Sequence, residues 1–292
     1  MDHMPARFRA LMLALPVLGA AFGLQAAPAP PASFVSYDDA APPPKPVQPA
    51  SPITDHLALN AGFFWGSVRT SGQFDSAKGV PGTPLSAESD LGLTNQAYQP
   101  QLELIFRLKD RHKLRVDWFD LRRNGQVQLG SVLQIGDQAY LAGQSLQSML
   151  NWRQMDITYT YSFLRTDRFE LGAGLGLHLL EAEAREVVPQ TPQLTDYSEA
   201  GPFATLALDG TWAFAKAWSL NARGQYMHLT IRDFTGELQD YHADVQYRWR
   251  RNFALGVGYD YTEREVDVAN HDPSGFVQLR VNGPQLFLRV SY

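Results

Sequence analysis

The chain has 292 residues, 25 Lys and Arg against 30 Asp and Glu, a net charge of −5, 45% hydrophobic residues and no cysteine. So balanced a charge gives no footing for nucleic-acid binding, and the lack of cysteine excludes disulfides and a lipidated N-terminal cysteine. No apolar run beyond residue 27 approaches the ~20 residues of a spanning helix, which excludes a helical membrane protein.

In chain order, Arg7 and Arg9 precede an apolar run from Ala10 to about Phe22, followed by small residues at Ala26 and Ala27. This predicts a secretory signal peptide over residues 1–27 and an exported protein; the run is too short for a retained anchor. Residues 28–54 are dense in Pro and Ala. Such a composition favours solvated polyproline II, buries no core and predicts a flexible linker.

From His56 onward the dominant period is two, the mark of a strand with one apolar and one polar face. A first strand covers about 56–70. Leu102, Leu104, Phe106 and Leu108 alternate with Gln101, Glu103 and Arg107, turn at 109–112, and resume as Leu114, Val116 and Trp118 with Arg115 and Asp117 between them. Three more hairpins follow, turning at 165–167, 215–217 and 250–251, and a last strand ends at Tyr292. Four hairpins and two single strands predict an all-β, transmembrane antiparallel up-and-down β-barrel of ten strands over residues 55–292. An eight-stranded barrel with an extra hairpin inside 123–150 is the alternative. The turns are a few residues each, whereas the connections 71–96, 123–149, 185–201, 230–237 and 265–276 are long. In a bacterial barrel short turns are periplasmic and long loops extracellular, so the linker is expected in the periplasm. Phe163 and Phe169, Phe214 and Trp218, and Trp249 and Phe253 bracket short turns, where an aromatic girdle belongs.

The chain closes on Leu286, Leu288, Val290 and Tyr292, each two residues from the next, an ending that resembles the C-terminal strand signal of Gram-negative outer-membrane β-barrels. Taken with the leader, the alternation and the loop asymmetry, nearly all of the exported chain resembles the small outer-membrane barrels typified by outer membrane proteins A, W and X. The resemblance implies an integral protein of the outer membrane, in contact with its lipid and lipopolysaccharide. It also implies recognition of the terminal strand by the barrel-assembly machinery. Pro284, unable to donate to a ladder, is expected to limit the last regular segment to about eight or nine residues.

The inward parity is rich in charge: Glu103, Arg107, Arg115, Asp117, Asp156, Glu170, His178, Asp209, Arg223, Asp244, Arg248, Asp260 and Arg289. Unpaired charges in a narrow barrel are costly, so these are expected to pair across a lumen wide enough for side chains or one small ligand. Inward glycines at 172, 174, 176, 256 and 258 favour close packing or strand curvature over a water path. Two histidine groupings raise the question of an outer-membrane protease or lipid A hydrolase: His228, Asp233, Asp240 and His242 around one loop, and His178 with Glu181 and Glu183. Neither has a catalytic spacing. Asp117 and Asp120 have opposite parity, and no HExxH, paired-cysteine or EF-hand motif occurs, so no metal or cofactor is expected. The first two long loops carry enough apolar residues to fold over the mouth, and loops on a rigid scaffold are where binding resides. The sequence therefore predicts a barrel with a largely plugged lumen and a structural or surface-binding role. A narrow porin-like channel for small polar solutes is the second reading and a hydrolase the third.

Overall fold

The computed structural model describes residues 50–189, 194–269 and 274–292, with side chains omitted at 194–200. The expected signal peptide and the linker up to residue 49 lie outside the described residues. The strands are β1 (Leu57–Phe74), β2 (Leu85–Ser86), β3 (Gln96–Lys109), β4 (His112–Gln128), β5 (Leu133–Ile135), β6 (Gln138–Tyr140), β7 (Ser145–Arg165), β8 (Phe169–Val187), β9 (Leu194–Trp212), β10 (Trp218–Ile231), β11 (Phe234–Arg250), β12 (Phe253–Val268) and β13 (Gly275–Ser291). All but β2, β5 and β6 pair antiparallel in chain order, and β13 pairs with β1. The result is a closed ten-stranded barrel. The eight-stranded alternative falls, although the hairpin it placed between residues 123 and 150 exists as β5–β6, outside the wall.

Most wall strands carry an outward apolar stretch of about nine residues, the length a tilted strand needs to cross hydrocarbon; on β4 it shortens to Leu114–Trp118. On β11 it runs from Trp249 to Tyr241 and on β12 from Phe253 to Tyr261; Trp249 stacks on Phe253 and Trp218 lies 4.9 Å from Tyr247 at the short-turn end. Leu286, Leu288, Val290 and Tyr292 all face outward. The four short turns fall where alternation predicts them.

At the other end the strands outrun the sequence reading. The expected loop 230–237 is a two-residue turn, with Arg232 in the left-handed region (φ 55°) that such hairpins use. Likewise β13 does not stop at Pro284. It continues to Gly275, keeping its ladder with β12, while its pairing with β1 skips from Gln285 to Asn282. Proline removes bonds on one side only, so the strand survives.

Above the apolar band two seams part. β3–β4 pairing ends at Leu102↔Trp118 and β9–β10 pairing at Leu206↔Tyr226, though all four strands run on. The closed barrel thus divides into two facing sheets, β4–β7–β8–β9 and β10–β11–β12–β13–β1–β3. Between them the interior changes character. Phe64, Val68, Leu121, Trp152, Leu279 and Val281 form a buried apolar layer across the bore. Above it Leu85, Leu91 and Leu93 of the first long loop pack with Leu133, Ile135 and Tyr140 of the second against Leu146 and Val188.

Candidate functional site: the lumen and its two mouths

Strand parity delivers every inward side chain, and three levels follow from the short-turn end. The segment before β1 enters the barrel first. Ile53 is buried and its carbonyl accepts from Arg165 Nη2 at 3.0 Å; the Asp55 carboxylate accepts from Arg248 at 2.6 Å and from Arg289 at 3.1 Å. Residues 50–54 were expected in the linker; those contacts make them part of the folded barrel. Beside them Arg107 grips Glu170 with two parallel bonds of 2.7 and 2.8 Å, and Ser162 Oγ donates to the same carboxylate. Such forked pairs fix geometry as well as charge.

At mid-height Glu103 is shared by Arg115 at 2.7 Å and Arg223 at 3.0 Å, and Asn60 donates to its second oxygen. Asp117 lies 3.6 Å from Arg223, Asp209 pairs with Lys113, and Arg115 approaches Asp209 at 3.6 Å. His242 is held between Asp244 (2.8 Å) and Asp260 (2.6 Å). Two small cavities here, of about 70 and 40 Å³, are both lined by Asn60, Glu103 and Arg223.

The third level is a neutral-to-acidic cluster under the apolar layer. His178 Nδ1 meets Asp156 at 2.7 Å, and its Nε2 lies 3.1 Å from Thr205 Oγ1 and 3.0 Å from Gln225 Oε1. Arg264 is buried between the rings of Phe119 and Trp152, 5.9 and 5.4 Å from their centroids. Among the described residues its Nε and Nη1 have no hydrogen-bond partner.

The thirteen charged positions of the inner parity project into the lumen, and each has an oppositely charged neighbour there. Lys113, Asp55 and Arg264 were missed. Parity pointed to Lys113 and Arg264; nothing in the Pro/Ala-rich stretch pointed to Asp55. The two histidine groupings read around the loops do not assemble. His228 faces outward, exposed, 3.5 Å from Glu237, whereas His242 is buried in the lumen. His178 points inward and Glu181 outward, where Arg153 meets it. Parity forbids the grouping, since 178 and 181 are an odd number of residues apart.

An Asp–His–hydroxyl line does exist at Asp156, His178 and Thr205. Two observations describe its setting. Thr205 Oγ1 gives its proton to Gln225 Oε1 at 2.7 Å, away from the imidazole. His178 and Thr205 are 1% and 2% exposed and lie below the apolar layer.

Inward glycines serve packing. A Cβ on Gly256 would collide with the Phe287 ring, one on Gly62 with the Phe287 Cβ and the Leu286 carbonyl, and one on Gly176 would strike Thr205 and Gln225.

Charge-lined lumen, outward apolar band, aromatic girdle and closed even-stranded wall define the class: a transmembrane β-barrel of the Gram-negative outer-membrane kind. No family model matches the sequence, and no curated protein is detectably similar to it. Among solved structures, the outer membrane protease OmpT of Escherichia coli superposes with a TM-score of 0.53 at 10% identity, over 80% of this chain and 97% of that one. OprG of Pseudomonas aeruginosa gives 0.35 at 10% identity over 81% and 95%, and the attachment invasion locus protein Ail of Yersinia pestis 0.32 at 10% over 80% and 98%. The likeness to OmpT is one of fold.

Proposed function

We propose that the protein is an integral outer-membrane barrel whose lumen is shut and whose long-loop end, on the cell surface, serves a structural or binding role. One observation carries this reading: an ion-paired network and an apolar layer succeed each other along the bore, beside cavities of about 70 and 40 Å³. The side chains of Phe64, Leu121 and Trp152 narrow the bore for hydrated solutes. The same burial argues against hydrolysis at His178 and His242, whose carboxylate partners are in the lumen with them. Above the band the outward face turns polar, with Arg122, Arg153 and Arg185 each beside an acid. That ring suits contact with the charged headgroups of the lipid and lipopolysaccharide. The outward Leu286, Leu288, Val290 and Tyr292 suit recognition by the assembly machinery.

A narrow channel remains the second reading, because the two cavities meet at Arg223 and Glu103 and five acids against two arginines line the larger. Planar-bilayer recording separates the two. The shut barrel gives no unitary steps, and Glu103→Gln adds none; cation-selective steps in the unaltered protein would overturn the closed reading in favour of the channel.

A further inference from the structure

The short-turn end of the barrel is strongly basic. Its four turns, 109–112, 165–168, 215–217 and 250–251, carry seven arginines and lysines against Asp110 and Asp167, and all seven but Arg165 are exposed. Part of this charge serves the fold: Arg111 and Arg165 donate to backbone carbonyls of Ser162 and Ile53. Arg168 and Lys216 are different, for among the described residues neither side chain makes an ion pair.

These two cations stand on neighbouring turns. The Ala213 N–H donates to the Arg168 carbonyl at 2.7 Å, which holds the β7–β8 turn beside the β9–β10 turn. Between them lies a cavity of about 270 Å³, larger than either lumen cavity, walled by Arg168, Lys216, Phe214, Trp218 and, from the segment that enters the barrel, Pro52. Asp167 is the acid on its wall, and Arg248, also there, is already held by Asp55 at 2.6 Å and Ser291 Oγ at 2.9 Å. Phe214 and Trp218 belong to the girdle and are 43% and 44% exposed. The cavity thus joins a cationic rim to a wall that faces lipid. A dissolved anion would use only the rim. A phospholipid uses both, with its phosphate between Arg168 and Lys216 and its acyl chains along the outer faces of Phe214 and Trp218. Cations beside an aromatic belt are suited to a lipid phosphate, and unpaired cations favour a headgroup that brings no ammonium of its own.

We propose that this cavity is a binding site for an anionic phospholipid of the membrane leaflet at the short-turn end, the periplasmic one. The inference goes beyond the surface role; only the choice of leaflet depends on the sidedness that loop asymmetry gives.

The test is native mass spectrometry of the purified full-length protein in detergent, titrated with dioleoylphosphatidylglycerol and, for comparison, with the phosphatidylcholine of the same chains. Phosphatidylglycerol adducts are expected at lower lipid concentration. They should weaken by about tenfold or more when Arg168→Gln and Lys216→Gln are combined. Arg250→Gln with Arg251→Gln, which removes equal charge from another turn, should leave them unchanged. Heat-dependent gel mobility checks that both double variants are folded. The proposal fails if the two lipids bind alike, which would mean girdle contact alone, or if both double variants weaken binding equally, which would mean rim charge without a site. It also fails if the Arg168/Lys216 variant binds unchanged, or if glycerol phosphate competes as well as the lipid, which would mean a site for dissolved anions. Binding that appears only after deletion of residues 28–49 would overturn it too, by making the chain itself the occupant. Because the assay does not depend on orientation in a cell, its failure is separate from failure of the surface role.

Discussion

Phe287 is the aromatic residue that faces inward in a strand whose neighbours Leu286 and Leu288 face out. Its ring occupies the volume that Gly256 leaves empty, and its Cβ sits where a side chain on Gly62 would begin, so one large side chain and two absent ones are a single packing decision. Phe287→Ala opens a cavity in the lumen wall and should cost about 3–5 kcal/mol, the usual range for such truncations. Gly256→Leu alone should fail to fold, because the added side chain collides with the ring. Combined with Phe287→Ala it should regain much of the loss. Urea unfolding in detergent, read by gel mobility, checks the set; equal stability of the single Gly256→Leu variant would show that the ring is not confined as described. The glycine positions were readable from inward parity, but their partner was not. Phe287 lies off the terminal apolar pattern, and nothing in sequence spacing says which strand a ring will cross to meet.

At the scale of elements, the first long loop behaves as an inserted piece of structure. Arg123 is fully buried, and its guanidinium is taken up by Glu88 at 2.6 Å, Thr70 Oγ1 at 2.7 Å and the Thr94 carbonyl. Farther along, Asp75 caps the loop by accepting from the Gly82 backbone N–H at 2.8 Å and from Gln73 at 3.0 Å. The Gly82 bond, the larger cause, and then Gln73 hold this carboxyl below its ordinary value of 3.8. A carboxyl with a depressed folded pKa stabilises above its unfolded value and loses that contribution as pH falls through the folded one. Hydrogen exchange at the Gly82 amide, corrected for its intrinsic pH dependence, should therefore be protected at neutral pH and lose protection below pH 3.8. Asp75→Asn should show reduced protection at both. Protection unchanged on acidification would sink this account.

Strand ends near this loop were the part of the fold least legible in the sequence, for a physical reason. Below, on β4, Leu114, Val116 and Trp118 face out; above, Phe119 and Leu121 face in while Asp120 and Arg122 face out. The alternation continues, but its phase inverts at Trp118–Phe119 because water replaces hydrocarbon outside and a packed layer replaces the polar lumen inside. A search for outward apolar residues ends there and reads the rest as loop.

For the whole molecule, the band, the girdle and the parity of the strands fix a topology in which both described ends of the barrel lie with the short turns. That much was legible, because alternation over ten strands repeats one simple pattern. Which end faces the cell interior rests on loop asymmetry alone, and it can be read directly because the chain has no cysteine to interfere. Leu141, beside the β5–β6 hairpin, is 57% exposed at the long-loop end, and Lys216 is exposed in the turn between β9 and β10 at the other. Leu141→Cys should react with a membrane-impermeant maleimide on intact cells. Lys216→Cys should react only after the envelope is opened. The reverse pattern would invert the barrel, put Asp55 and the preceding segment on the surface, and remove the ground for a surface role, whereas the ion-paired lumen would stand unchanged. Sidedness and lumen pairing are thus independent properties of this barrel, the first set by its loops and the second by residues that face the bore.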